Sequence, residues 1–246
     1  MTVQIEIIET KVISLDGFTM VEGFPGLGLV GTIAVKYLSE KLDFIQIGHI
    51  NSDAFSPILR IHKGIPLNPT RIYASKKHKM ILLVAEQIVP RKIMYELSRK
   101  VIEWVKKKKI KSVISLAGIR SGDNSAEIYG IAANEKSKAK LKKLKIKTID
   151  EGLTTGITAL ILSNLESYPE IEGFSILANV KIQADYSAAA AVIKKLDELY
   201  PSFEIDVKPL EQEAKKTEAT LKNQFKEMQN KQNELDQLEP SQAYYS

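Results

Sequence analysis

Short β-branched runs alternate with helical stretches through about the first two hundred residues, and this alternation restricts the fold more than any other feature of the chain. Runs of strand character fall at 3–13, 19–22, 44–50, 58–62, 71–74, 80–85, 112–116, 146–149, 174–180 and 203–207. Helical patterns fall between them at 27–42, 90–108, 134–144, 155–165 and 186–199, with Pro90 in a first turn and Asp185 as an N-cap. Elements in this order predict an α/β domain over residues 1–208, with a central mixed sheet flanked by helices. With 44% hydrophobic residues, the chain has enough apolar surface for a full core of that kind.

The texture changes at Pro209. From there to Glu239 there is no glycine, β-branched residues almost vanish, and Glu, Lys, Gln and Asn dominate. Ala214, Leu221, Met228 and Leu235 recur every seven residues, whereas Thr217, Gln224 and Lys231 spoil the companion row. The pattern predicts one long helix over 209–239 that packs on its own domain or on a sister subunit. At about 1.5 Å per residue it would reach some 40 Å from the body. Pro240 ends it, leaving a short flexible tail, 240–246.

Composition removes several functions. There is no cysteine, and His49, His62 and His78 lack ligand spacing, so no metal site, thiol nucleophile or disulfide framework is expected. The net charge of +5 is modest, and the lysine runs at 106–109 and 136–147 carry almost no aromatic residues, which reads as solvated helix faces and not as a nucleic-acid surface. No stretch approaches the roughly 18 apolar residues of a membrane span, nor does the start resemble a secretory signal. The expected setting is the cytoplasm, with no membrane or nucleic-acid partner and no cofactor.

Gly26-Leu27-Gly28-Leu29-Val30-Gly31 matches the G-x-G-x-x-G pattern between a strand and a helix. In dinucleotide sites such glycines bring pyrophosphate to a helix N-terminus, and Asp53 stands 22 residues beyond Gly31, near where a ribose-binding carboxylate would be. Gly23 and Pro25 precede the motif and extended strands follow Asp53, so the favoured reading of Gly23, Gly26, Gly28 and Gly31 is a structural turn that lets a helix lie close to the sheet. An anion-binding loop is the alternative, which would make the chain a nucleotide- or phosphate-binding small-molecule enzyme. Asp53, Glu86, Asp123 and Glu127 are isolated carboxylates, and no G-x-S-x-G elbow or downstream histidine completes a hydrolase triad. No catalytic residue is assigned. Arg120 lies in a polar, glycine-punctuated segment expected to be a loop over 118–130, where the favoured reading is a turn at the carboxyl end of a strand and an anion site through Arg120 and backbone N–H groups is the alternative.

The longer stretch Gly23-Phe24-Pro25-Gly26-Leu27-Gly28-Leu29-Val30-Gly31 resembles the opening signature of the proteasome assembly chaperone family, including its archaeal Pba-type members, PbaB most closely. Glu86 and Pro90 leading into the helix with Trp104, Leu116-Ala117-Gly118-Ile119, and the alanine-rich helix after Asp185 fit the same family in the same order. Relatives have also been labelled ATP-grasp-like enzymes. The resemblance implies a non-enzymatic homo-oligomer, with a tetramer among the candidate assemblies, whose partner is the α-ring of the 20S proteasome. The closing Tyr244-Tyr245-Ser246 fits the hydrophobic-tyrosine-any residue ending (HbYX) of proteasome activators and some assembly chaperones. In that role a terminal carboxylate pairs with a lysine between ring subunits while the aromatic rings bury area and a phenol hydrogen-bonds.

Overall fold

Strands covered on both faces are largely apolar, with the few polar residues they carry buried, and four such strands form the middle of the sheet. They are β2 (Thr19–Gly23), β7 (Met80–Ala85), β8 (Ser112–Ile119) and β11 (Glu172–Asn179). All pair in parallel, in the order β7-β2-β8-β11. Around them, β1 (Ile5–Glu9), β3 (Ile45–Ser52), β6 (Thr70–Ser75), β9 (Ile128–Ala132) and β10 (Lys147–Thr148) complete a mixed nine-stranded sheet, β1-β3-β6-β7-β2-β8-β11-β9-β10. A separate hairpin is made by β4 (Arg60–His62) and β5 (Ile65–Leu67). The computed structural model describes residues 3–120, 128–210, 212, 226–227 and 229–231.

Helices cover both faces. On one lie α1 (Val30–Lys41) and α5 (Tyr186–Leu199), and nine consecutive residues of α1, Val30 to Leu38, are buried because it is enclosed between sheet and α5. On the other lie α2 (Arg91–Lys107) and α4 (Gly156–Glu166). The α2 stripe Ile93, Leu97, Val101 and Val105 repeats every four residues and is buried, while Arg99 pairs with Glu96 and Glu103 on the solvent face. Helix α3 (Glu135–Lys143) starts at Asn134, whose side chain accepts from Ser137 N at 3.0 Å. Asp185 likewise accepts from Ala188 N at 2.9 Å, as expected for the cap of α5. Among the described residues, no helix is long and apolar enough to cross a membrane.

The α/β expectation is met, and three segments differ. The strand expected at 203–207 does not form: Pro201–Phe203 is a 3-10 turn and Glu204 takes a left-handed φ of 46°, so the chain turns while Phe203 and Val207 pack into the core without a partner strand. The expected loop at 118–130 is shorter at both ends, because Gly118 and Ile119 extend β8 and residues 128–130 begin β9; residues 121–127 lie outside the described residues. Pro90 stands one residue ahead of α2, in the N-cap position. Of the long C-terminal helix expected over 209–239, residues 209–210, 212, 226–227 and 229–231 are described, and they are helical.

Candidate functional site

The parallel strands all present their carboxyl ends to one edge of the sheet, the edge where open α/β folds place ligands. There a cleft of about 440 Å³ opens between the glycine loop, with Leu27 and Gly28, and the β11–α5 connection, with Val180 and Ile182; Arg120 and Lys181 are also on its walls. Leu27 and Ile182 are both more than half exposed. The loop leaves β2, passes a 3-10 turn at Leu27–Leu29 and enters α1 through two left-handed residues, Gly28 (φ 64°) and Leu29 (φ 53°). Asp185 ties the walls together: its backbone N–H donates to Gly28 O at 2.9 Å, and its carboxylate accepts from Lys181 N and Ala188 N, both at 2.9 Å.

Glycine is required here for packing. A Cβ on Gly23 would lie 2.1 Å from Gly31 O, and one on Gly31 would lie 2.1 Å from Leu116 O, so this pair sets how closely α1 lies on the sheet. Gly28 combines its positive φ with a would-be Cβ 2.7 Å from Val180 Cγ1, while Gly26 faces open space. The structural-turn reading accounts for Gly23, Gly28 and Gly31. The dinucleotide spacing loses its geometry: β3, the strand after α1, is separated from β2 by β6 and β7, and Asp53, just beyond β3, accepts a hydrogen bond from Gln4 N at 3.1 Å. A ribose carboxylate belongs on the neighbouring strand.

Beside this edge lies a charged cluster whose geometry the isolated carboxylates did not reveal. Glu86, directly after β7, is buried, and three cations meet it: Arg60 on Oε1, Arg71 on Oε2, and Lys36 Nζ 3.4 Å from Oε1. Arg71 is held in turn by Tyr73 Oη and Asn68 O, each at 2.8 Å. A carboxylate neutralised in this way is structural. Register on β6 sets Arg71 opposite Val84, beside the end of β7, a pairing that no local sequence signal announces.

Elsewhere, Glu22 lies wholly buried one residue before the end of β2 with Thr158 Oγ1 3.2 Å from its Oε1, and burial pushes its pKa up to about 7. Among the described residues its Oε2 has no hydrogen-bond partner. Asp123, Glu127 and the expected docking residues Tyr244, Tyr245 and Ser246 lie outside the described residues. Gln229 lines the cleft beside the glycine loop, so this helical residue near the C-terminus lies against the carboxyl edge of its own domain.

A family model described as the PAC2 family matches residues 20–225. An uncharacterized protein of Methanocaldococcus jannaschii is 28% identical over 216 residues, 87% of this chain and 88% of its own length. Among solved structures, Pyrococcus furiosus PbaA, described as an archaeal homolog of proteasome-assembly chaperone, matches with a TM-score of 0.82 at 28% identity, covering 93% of this chain and 99% of its own. Pyrococcus furiosus PbaB, described as an archaeal proteasome activator, matches with a TM-score of 0.71 at 22% identity over 89% of this chain and 98% of its own. Of these two, PbaA has the higher TM-score and the higher identity.

Proposed function

Since the chain belongs to the PAC2 family, we propose that it is a proteasome assembly chaperone or activator that binds the α-ring of the 20S proteasome, working in the cytoplasm as a homo-oligomer. The observation that carries this reading is the likeness to PbaA along nearly the whole of both chains. Tyr244, Tyr245 and Ser246 are the docking element of the proposal. Tyr245 and the carboxylate of a terminus at Ser246 anchor the contact, and Tyr244 fills an apolar position. The glycine packing supports this assignment over the nucleotide-binding alternative, because Gly23 and Gly31 are occupied with the approach of α1 to the sheet. The proposal assigns no catalytic residue and no cofactor.

The test is recovery of purified 20S particles on immobilised protein, with the intact chain and with 244–246 deleted. Recovery by the intact chain and loss on deletion is the expected result. Equal recovery by both removes the tail from the mechanism, and no recovery by either removes the proteasome as partner.

A further inference from the structure

Lys36, Arg60 and Arg71 bring three positive charges to one place, against the carboxylates of Glu86 and Glu40. The balance is positive by one charge, and the second carboxylate is a poor match. Glu40 is half exposed and stands 3.8 Å from Arg60 Nη2 and 4.0 Å from Lys36 Nζ, beyond hydrogen-bonding distance. The cations, in contrast, are at most 17% exposed. Buried positive charge without a full complement of anions is costly, and Lys36 responds: burial, followed by the Arg60 charge, lowers its pKa to about 8.

A cleft of about 290 Å³ reaches this cluster between the β4–β5 hairpin and the end of β7. Arg60 and Glu86 form its charged floor, and Pro57, Ile58, Leu59 and Pro69 form apolar walls. Glu227 and Lys231 also line it and offset each other in charge. Glu86 is already engaged by all three cations, whereas among the described residues Arg60 Nη2 and Lys36 Nζ retain donor capacity directed toward Glu40.

We propose that this cleft is a binding site for a small organic anion, whose single carboxylate or phosphate head displaces Glu40 from Arg60 and Lys36 while a compact apolar body lies against the proline-rich walls. A planar oxyanion suits the Arg60 fork, and the apolar walls favour an organic anion over an inorganic one. The site uses no part of the docking tail, so it stands or falls separately from proteasome binding.

Calorimetry on the full chain with benzoate, phenyl phosphate, inorganic phosphate and neutral benzamide tests the site at constant ionic strength. Saturable binding of benzoate or phenyl phosphate is expected, with benzamide and inorganic phosphate much weaker. The better of the first two identifies the head group. Arg60→Gln weakens it by about tenfold or more, the scale of one lost charged hydrogen bond. Glu40→Gln, at a half-exposed position where folding is not at risk, removes the competing carboxylate and tightens binding. Equal affinity for benzamide, no saturable binding of either organic anion, or a Glu40→Gln affinity no higher than that of the unaltered chain overturns the proposal.

Discussion

Glu22 is the residue at which the sheet carries an electrostatic cost. No cation pairs with it among the described residues, and burial raises its pKa from 4.5 to about 7, only partly offset by the Ser115 and Thr158 hydroxyls and the Phe24 backbone N–H. The folded state therefore holds a proton that the unfolded chain releases at ordinary carboxylate pH. Stability is full below about 4.5 and falls as pH rises towards 7, by about 3 kcal/mol for a shift of this size. Urea unfolding midpoints across pH 4 to 9 should show this decline, and Glu22→Gln should flatten it and be the more stable protein at pH 8. Parallel profiles for the two proteins would refute the assignment. His78 titrates in the opposite sense, since burial and Lys77 lower its pKa and the folded state resists its protonation; the difference between the two profiles isolates Glu22. None of this was legible in the sequence, where Glu22 reads as the polar end of a short strand. The neighbours that make it unusual, Thr158 and Ser115, arrive from α4 and β8, and only the fold brings them together. The same holds for Glu86: its type and place were visible, but not the three cations that neutralise it.

At the scale of elements, the approach of α1 to β2 and β8 has the tightest tolerance. Gly31→Ala places a methyl against the Leu116 carbonyl, backbone against backbone, so either the helix lifts or the sheet bends. Overpacking of this kind costs about 3 kcal/mol or more where neighbours cannot yield. Gly26→Ala, which meets open space, should stay within about 1 kcal/mol, the ordinary range for a loop position. Denaturant unfolding of the two variants checks the contrast, and a Gly26→Ala loss as large as that of Gly31→Ala would mean that the whole loop, and not the helix approach, sets the requirement. Elements with strong local signals were legible: the four-residue stripe of α2, the caps Asn134 and Asp185, and the apolar runs of β7 and β11. The misreadings are physical too. Phe203, Ile205 and Val207 alternate as a strand does, but the period reports only that one side faces the core, and the Glu204 turn removes the extended backbone that pairing needs. Strand β9 was hidden because Gly130 reads as a breaker, whereas its missing Cβ makes room for Leu141 and Ile146, which a side chain would meet at 2.8 and 2.9 Å.

For the whole molecule, the two ends of the sheet have different tasks. At the amino ends of the parallel strands, Tyr200 Oη meets Thr19 Oγ1 at 3.1 Å, Tyr37 Oη donates to Asp206 O at 2.8 Å and Leu210 is buried, which fixes the root of the C-terminal segment. At the carboxyl ends, Gln229 lines the glycine-loop cleft and Glu227 and Lys231 line the cleft at Arg60. The chain has thus crossed to the opposite edge before the last fifteen residues after Lys231, which carry Tyr244, Tyr245 and Ser246. On the proposed reading, each subunit of a homo-oligomer would repeat this placement, and the first tail to dock would raise the effective concentration of the rest. Avidity of that origin exceeds single-tail affinity by a factor on the order of a hundred or more. Oligomers reassembled from intact and tail-deleted chains in varied ratio provide the measurement. If several tails act together, recovery of 20S particles falls more steeply than the fraction of intact chains, because most mixed oligomers lose the pairs that rebind. A fall in simple proportion would mean that each tail acts alone, and the oligomer would then contribute nothing to the strength of docking.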